Sequence, residues 1–242
     1  MSTFAIGDIH GGLKALLQVL NKLALKEDDT LVFMGDYVDG WSEAAQVVEF
    51  LMELSEKSQC IFIKGNHDVL CEDWLKNDHV DAGWYLHGGK ETIDSYEAFT
   101  VAKKEAHLLF FSQMKMYHLD AESRLFLHAG FTSLHGVEKE AIPQTLCTDR
   151  TLWELALAMQ PNLEKHMPRY PKRFSHYKEI YIGHTPTTNY DVFEPMHAAN
   201  VWNIDTGAAF KGKVTAIDID TKAFVQSDAL PTLYPNEKGR NK

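Results

Sequence analysis

An α/β architecture, a parallel sheet with helical crossovers, is what this sequence predicts. Three observations carry that expectation. The order strand, loop, helix runs twice and starts a third time before residue 66, further apolar strand runs return late in the chain, and many of these runs stop at glycine, aspartate or histidine.

Taken in order, "TFAIG" (3–7) reads as a short buried strand, and "LKALLQVLNKLAL" (13–25) has the three-to-four apolar spacing of an amphipathic helix. "TLVFMG" (30–35) is the second strand. A helix is expected over 42–57, with Ser42 as its N-cap, and "QCIFIKG" (59–65) supplies the third strand. Residues 68–113 read as mostly helical, broken by "LHGGK". "KMYHL" and "RLFLHAG" flank the turn-like "DAES" as a strand pair. Residues 131–177 are irregular, carry "TLWELALAM" as a helix and suit a lid or substrate-facing insert. "EIYIGH", "NVWNIDTG" and "KVTAIDID" return to strands. One domain is expected over 1–228, followed by a loose polar tail over 229–242.

With 242 residues and 45% hydrophobic content, the chain can bury a full core. No window approaches the run of about 18 apolar residues that spans a bilayer, and no secretory leader is evident, so a cytoplasmic protein is expected. Three cysteines without CxxC spacing suggest neither a disulfide framework nor a thiolate zinc site. A formal charge of −10 opposes general binding to nucleic acid or an anionic membrane.

Five segments share one grammar, an apolar strand followed by acid, imidazole or amide: "FAIGDIHGG", "LVFMGDYVDG", "IFIKGNHD", "LFLHAG" and "IYIGHTP". Ligand groups gather beyond the carboxyl ends of strands in open α/β sheets, so Asp8, His10, Asp36, Asp39, Asn66, His67, His128 and His184 are expected to converge. Singly, each motif has an ordinary use: an acidic turn, a helix cap by Asn66 and Asp68, a core histidine at 128. Their joint occurrence in order, each after a strand, points to a metal site. Mixed oxygen and imidazole donors without thiolate suit Mn²⁺ foremost, or Fe²⁺ or Zn²⁺, in a catalytic rather than structural role. Two ions about 3.5–4 Å apart need a bridging carboxylate, and Asp36 is the central candidate. One ion then takes Asp8, His10 and Asp36, and the other Asp36, Asn66, His128 and His184.

Together these motifs, with "IDTGAAFKGKVTAI" and "WYLHGGKETIDSY", resemble the calcineurin-like metallophosphoesterases over about residues 3–220, most closely the phosphoprotein phosphatase branch with its bacterial and phage members. The resemblance implies a β-sandwich core flanked by helices in four α/β/β/α layers, two divalent metals, and hydrolysis by a metal-bound water. It makes His67 the catalytic histidine and Asp39 the aspartate that pairs with it.

Two arginines of that family are missing. Its GD-x-x-D-R-G arginine, which grips phosphate, is replaced by Gly40, and the arginine expected after "LW" by Leu155. Lys90, Arg150, Arg169 and Arg173 are candidate replacement cations, and Trp41 either stacks on substrate or packs in the core. The resemblance makes a phosphomonoesterase of the serine/threonine protein phosphatase type the leading expectation, acting on a phosphorylated protein or a small phosphoester, while the loss of both arginines shifts weight toward diesters or nucleotides. Its rivals are a phosphodiesterase or dinucleoside polyphosphate hydrolase acting on a nucleotide, and a catalytically weak metal-binding scaffold. A nuclease is disfavoured by the acidic balance.

Overall fold

The computed structural model describes residues 2–241. Its strands and helices run β1 (Thr3–Ile6), α1 (Leu13–Leu23), β2 (Thr30–Phe33), α2 (Ala44–Ser55), β3 (Gln59–Phe62), α3 (Asn66–Asn77), α4 (Ala82–Trp84), α5 (Lys90–Ser95) and α6 (Val101–Gln113). The second half continues with β4 (Tyr117–Leu119), β5 (Arg124–Leu127), α7 (Thr145–Thr148), α8 (Thr151–Ala158), α9 (Lys172–Ser175) and β6 (Glu179–Ile182). It closes with β7 (Met196–Ala198), β8 (Val201–Asn203), β9 (Thr215–Asp218), β10 (Phe224–Gln226) and α10 (Leu230–Leu233).

These strands form two five-stranded sheets, in the orders β10-β9-β1-β2-β3 and β4-β5-β6-β8-β7. Each has a parallel core of three strands, β1-β2-β3 and β5-β6-β8, with antiparallel strands at its margins. The single parallel sheet expected from the repeating order is thus two mixed sheets face to face, as the family resemblance implies.

Side-chain alternation along each strand explains the layering, because successive residues point to opposite faces. Ala5, Val32, Phe126 and Tyr181 meet between the sheets together with Met34, Ile63, Ile204 and Ile217. Their neighbours Ile6, Leu31 and Phe33 face outward onto α1 and α2, packing on Leu16, Val19, Val48 and Leu51. On the other side Leu125, Leu127, Ile180 and Ile182 pack on Leu146, Leu152, Trp153 and Phe174 of α7 to α9. The insert over 131–177 is therefore the outer helical layer of the second sheet rather than a lid.

Two expectations need correction. Ser42 does not cap α2; its backbone N–H and hydroxyl donate to Glu237 at 3.0 and 2.8 Å. Glu237 belongs to the segment expected to be a loose tail, and that segment is docked. Leu230 is fully buried, worth roughly 1.5–3 kcal/mol for such a side chain. Tyr234 is buried against Trp41 with ring centroids 5.2 Å apart, and its hydroxyl donates to Glu43. The polar composition of "PNEKGRNK" hid these two apolar anchors just ahead of it.

Among the described residues no helix is long and apolar enough to cross a membrane.

Candidate metal centre

The parallel strands of both sheets end on the same edge, and the loops after them deliver polar groups. Asp8 and His10 lie after β1, Asp36 and Asp39 after β2, His128 after β5 and His184 after β6, while Asn66 and His67 open α3 after β3. Backbone bonds lace these loops together. The N–H groups of Ile9 and His10 donate to the Asp36 carbonyl at 3.1 and 2.9 Å, and Gly183 N–H donates to the His128 carbonyl at 2.8 Å. Asp68 ties two of them: its carboxylate accepts from Asp36 N–H, Tyr37 N–H and Gly65 N–H at 2.7–2.9 Å. The capping role open to Asp68 in the sequence is real, and it also fixes the Asp36 loop.

Close approach excludes side chains at two positions. A Cβ on Gly183 would lie 2.1 Å from Asp8 Oδ1, and one on Gly65 would lie 2.1 Å from Asp36 Oδ1. His10, Asp36, Asp39 and His184 all adopt positive φ, between 52° and 70°. Non-glycine residues rarely do so, and such strain collects at functional sites.

Two groups of ligand-capable atoms result, His10, Asp36 and His67 in one and Asp36, His128 and His184 in the other, each within 4.8 Å. Asp36 belongs to both. Its Oδ2 lies 3.6 Å from His10 Nε2 and 3.3 Å from His128 Nε2. Asp8 Oδ2 is 3.9 Å from His10 Nε2 and accepts from His184 N–H at 3.1 Å, and Asn66 Oδ1 is 3.3 Å from His128 Nε2. The structure thus gathers every residue expected at the centre.

The outer nitrogens show which atoms remain free. His10 Nδ1 faces the carbonyls of Val38 and Asp39 at 3.1 and 2.9 Å, and His128 Nδ1 faces that of Met34 at 2.8 Å. A proton on Nδ1 donated to a carbonyl leaves Nε2 as a lone pair aimed inward, the usual arrangement of a metal-binding imidazole. His184 Nε2 is buried with no hydrogen-bond partner among the described residues, an orphan that a cation would satisfy.

Electrostatics point the same way for His10 and His184. Burial, with the charge of His128, holds His184 down at about 3, and burial also depresses His10 well below the usual imidazole range. Both present neutral rings suited to coordination. Burial raises Asp8 well above the ordinary carboxylate range, helped by Asp205 and Asp36. For Asp36 burial pushes upward too, but His128, His67 and His10 outweigh it and hold the carboxyl well below. His128 is driven down by burial and up by Asp36 and Asp8, ending at about 10. Asp8, Asp36, Asp39, Asp68 and Asp205 are all buried in this region, and such a density of carboxylates requires cationic compensation.

Beside these groups His67 Nδ1 donates to Asp39 Oδ2 at 2.5 Å. Asp39 is fully buried and also accepts from Trp84 Nε1 and Thr92 Oγ1, each at 2.6 Å. Trp84 and Thr92 lie in "WYLHGGKET", quoted above only for resemblance, and their role as holders of Asp39 escaped the sequence reading. Asp205 escaped it too, although "VWNIDTG" shows the same grammar of apolar strand, acid and glycine. Burial and Asp36 push its carboxyl up, against the Gly207 N–H, to about 6.

A cavity of about 180 Å³ opens over the centre, with Arg150 and Arg240 in its wall. Of the replacement cations weighed from sequence, Arg150 reaches it, Lys90 pairs with Asp94, and Arg173 donates to the Phe131 carbonyl at 2.7 Å. Trp41 is buried, with Nε1 donating to the Ala208 carbonyl at 2.7 Å, so it packs rather than stacking on a substrate.

The sequence model of the calcineurin-like phosphoesterases matches residues 1–211. The chain belongs to that family. As a calcineurin-like phosphoesterase it is a phosphoester hydrolase, and the family typically binds two divalent metals. Among curated relatives, bis(5'-nucleosyl)-tetraphosphatase PrpE (asymmetrical) of Bacillus thuringiensis strain Al Hakam is 29% identical over 233 residues, covering 88% of each chain. The protein of the same name from Bacillus anthracis strain A0248 has the same identity and coverage. Solved structures share the calcineurin-like phosphoesterase fold. A protein provisionally named a diadenosine tetraphosphatase superposes with a TM-score of 0.63 at 18% identity, covering 93% of this chain and 91% of its own. A serine/threonine phosphatase from Saccharomyces cerevisiae gives 0.60 at 13% identity, covering 95% of this chain and 80% of its own.

Proposed function

We propose that this phosphoesterase cleaves dinucleoside polyphosphates within the phosphate chain, using two divalent metals. The observation that carries the substrate class is a second cavity of about 450 Å³, which shares Phe210 and Arg240 with the cavity over the metal centre. Tyr85, Leu86 and His87 line it, and Leu86 is 79% exposed. An aromatic and apolar recess beside a cationic wall suits a nucleoside attached to phosphate. The PrpE relatives, named as tetraphosphatases of that substrate class, support the reading.

In this reading Asp8, His10 and Asp36 hold one ion, and Asp36, Asn66, His128 and His184 hold the other. Bound there, divalent ions supply Lewis acidity that activates water and neutralises developing charge on phosphoryl oxygens. His67 acts as general acid from its Nε2, with Asp39 fixing its Nδ1–H and ring orientation. Asp68, Trp84 and Thr92 keep that apparatus in register. Asp205, buried beside Asp8, adds negative charge that strengthens cation retention.

Phosphomonoesters, placed first by the sequence reading, become the second reading. Arg150 and Arg240 facing the site support it, because a dianionic monoester gains most from two cations. Initial rates of the Mn²⁺-loaded protein on diadenosine tetraphosphate, p-nitrophenyl phosphate and bis(p-nitrophenyl) phosphate decide between them. The proposal expects the tetraphosphate to have the highest kcat/KM, giving unequal nucleotide products. Faster turnover of the monoester than of the tetraphosphate would overturn it.

A further inference from the structure

The space above Gly40 is filled from the far end of the chain. A Cβ built on Gly40 would lie 3.4 Å from Arg240 Cγ and 3.6 Å from His10 Cβ, so the Arg240 stem runs in contact with the place where a side chain at position 40 would start. Gly40 itself sits at φ +123°, a conformation unsuited to an arginine on this backbone. We infer that Arg240, carried in by the C-terminal segment, is the phosphate-gripping guanidinium of this enzyme, acting with Arg150 across the cavity.

The segment is built to place it. Gly239 lies at φ +56°, and a Cβ there would meet Trp41 Cζ2 at 2.6 Å, so only glycine lets the chain pass this close. Arg240 N–H then donates to the Ala209 carbonyl at 2.9 Å. Upstream, Tyr234 stacks on Trp41 and accepts from Lys14 N–H at 3.0 Å, while Glu237 takes both donors of Ser42. Gly40, Trp41 and Ser42, next in the chain after the metal-bridging loop, are thus the receptor for the tail. Space at 40, an anchor at 41 and a tether at 42 together put one side chain into the site.

Arg240 is left free to bind an anion. Its guanidinium carbon is 5.4 Å from the Phe210 ring centroid, which orients the group without neutralising it. Among the described residues it enters no ion pair, whereas Arg124 binds Asp120 and Lys64 binds Glu72. Its Nε is buried and has no acceptor among them. Arg240 lines the cavity over the centre without a carboxylate partner among the described residues, and a phosphate oxygen there matches the planar fork of a guanidinium.

This inference rests on the hydrolase reading above, and phosphate binding separates the two. Inorganic phosphate titrated calorimetrically into Mn²⁺-loaded protein needs no turnover. Arg240→Met, which keeps a stem of similar length, is expected to weaken phosphate binding by about 10- to 100-fold, the loss typical of a charge-assisted hydrogen bond, with metal content unchanged. Gly239→Val, which lifts the segment off Trp41 while leaving Arg240 in the chain, is expected to do the same. Arg240→Lys is expected to fall between wild type and Arg240→Met, because a point charge replaces the fork. KM for a hydrolysed ester should rise in parallel in all three. Phosphate binding by Arg240→Met within twofold of wild type would overturn the inference, as would a wild type that binds no phosphate. Normal phosphate binding without hydrolysis of any ester would sink the hydrolase reading alone.

Discussion

Replacing Asp39 by asparagine removes one buried charge at nearly constant volume. The carboxylate accepts three hydrogen bonds: Thr92 Oγ1 at 2.6 Å on Oδ1, and Trp84 Nε1 at 2.6 Å and His67 Nδ1 at 2.5 Å on Oδ2. An amide has one acceptor oxygen, so its NH₂ must face one of these donors. The cheapest choice turns NH₂ toward Thr92, whose hydroxyl accepts but loses its own acceptor. One buried donor left unsatisfied costs about 1–3 kcal/mol of stability. The larger effect is on turnover. Unit charges centred about 4 Å apart, as on a carboxylate hydrogen-bonded to an imidazolium, interact at about 4 kcal/mol for an effective dielectric of 20. Part of that interaction survives as a neutral hydrogen bond, so kcat should fall about 10²- to 10³-fold, with KM and bound metal nearly constant. Steady-state kinetics beside elemental analysis of Asp39→Asn reads all three quantities. A kcat within fivefold of wild type, or metal lost in step with activity, would refute the assignment of His67 and Asp39 to proton transfer.

Three further outcomes are expected. Gly183→Ala drives a methyl into Asp8 Oδ1 and disturbs its bond from His184 N–H, so metal affinity should drop at least about tenfold, as read by competition with a chelating dye. Chelation should lower the thermal midpoint by about 5–10 °C, since ligand at a hundredfold excess over Kd contributes about 2.7 kcal/mol; an unchanged midpoint would mean the buried carboxylates need no cation. Far from the centre, His107 is fully buried between Tyr96 and Glu49, and burial lowers its pKa despite Glu49. The unfolded chain therefore binds the extra proton first. Its contribution to stability is complete above about pH 6.5 and shrinks as pH falls below that value. His107→Gln should flatten the midpoint between pH 7 and 5, and an equally steep decline in the variant would count against this.

The strand-end grammar made the centre legible because metal chemistry demands particular donor types, and parallel strands deliver their C-terminal loops to one edge. That Asp8, His10, Asp36, Asn66, His67, His128 and His184 come together on that edge follows from their places directly after the strands. The partition into two sheets was harder to read, since β5, β6 and β8 repeat the pattern of β1 to β3 and nothing local distinguishes a second sheet from a longer first one. β7 and β10, three residues each, are too short for a periodic signal. Arg240 was hidden for another reason: its function depends on a void at Gly40 and an anchor at Trp41, some 200 positions away, and a polar terminus carries no trace of that contact. The missing arginine was visible, but its replacement was not.

Elemental analysis of the purified protein after equilibration with Mn²⁺, run beside Asp36→Ala and His67→Ala, tests the central claim most directly. Two ions per chain are expected in the wild type, loss of both metal and hydrolysis in Asp36→Ala, and two retained ions with most turnover lost in His67→Ala. A wild type holding fewer than two ions, or equal metal loss in both variants, would contradict a dinuclear centre bridged by Asp36.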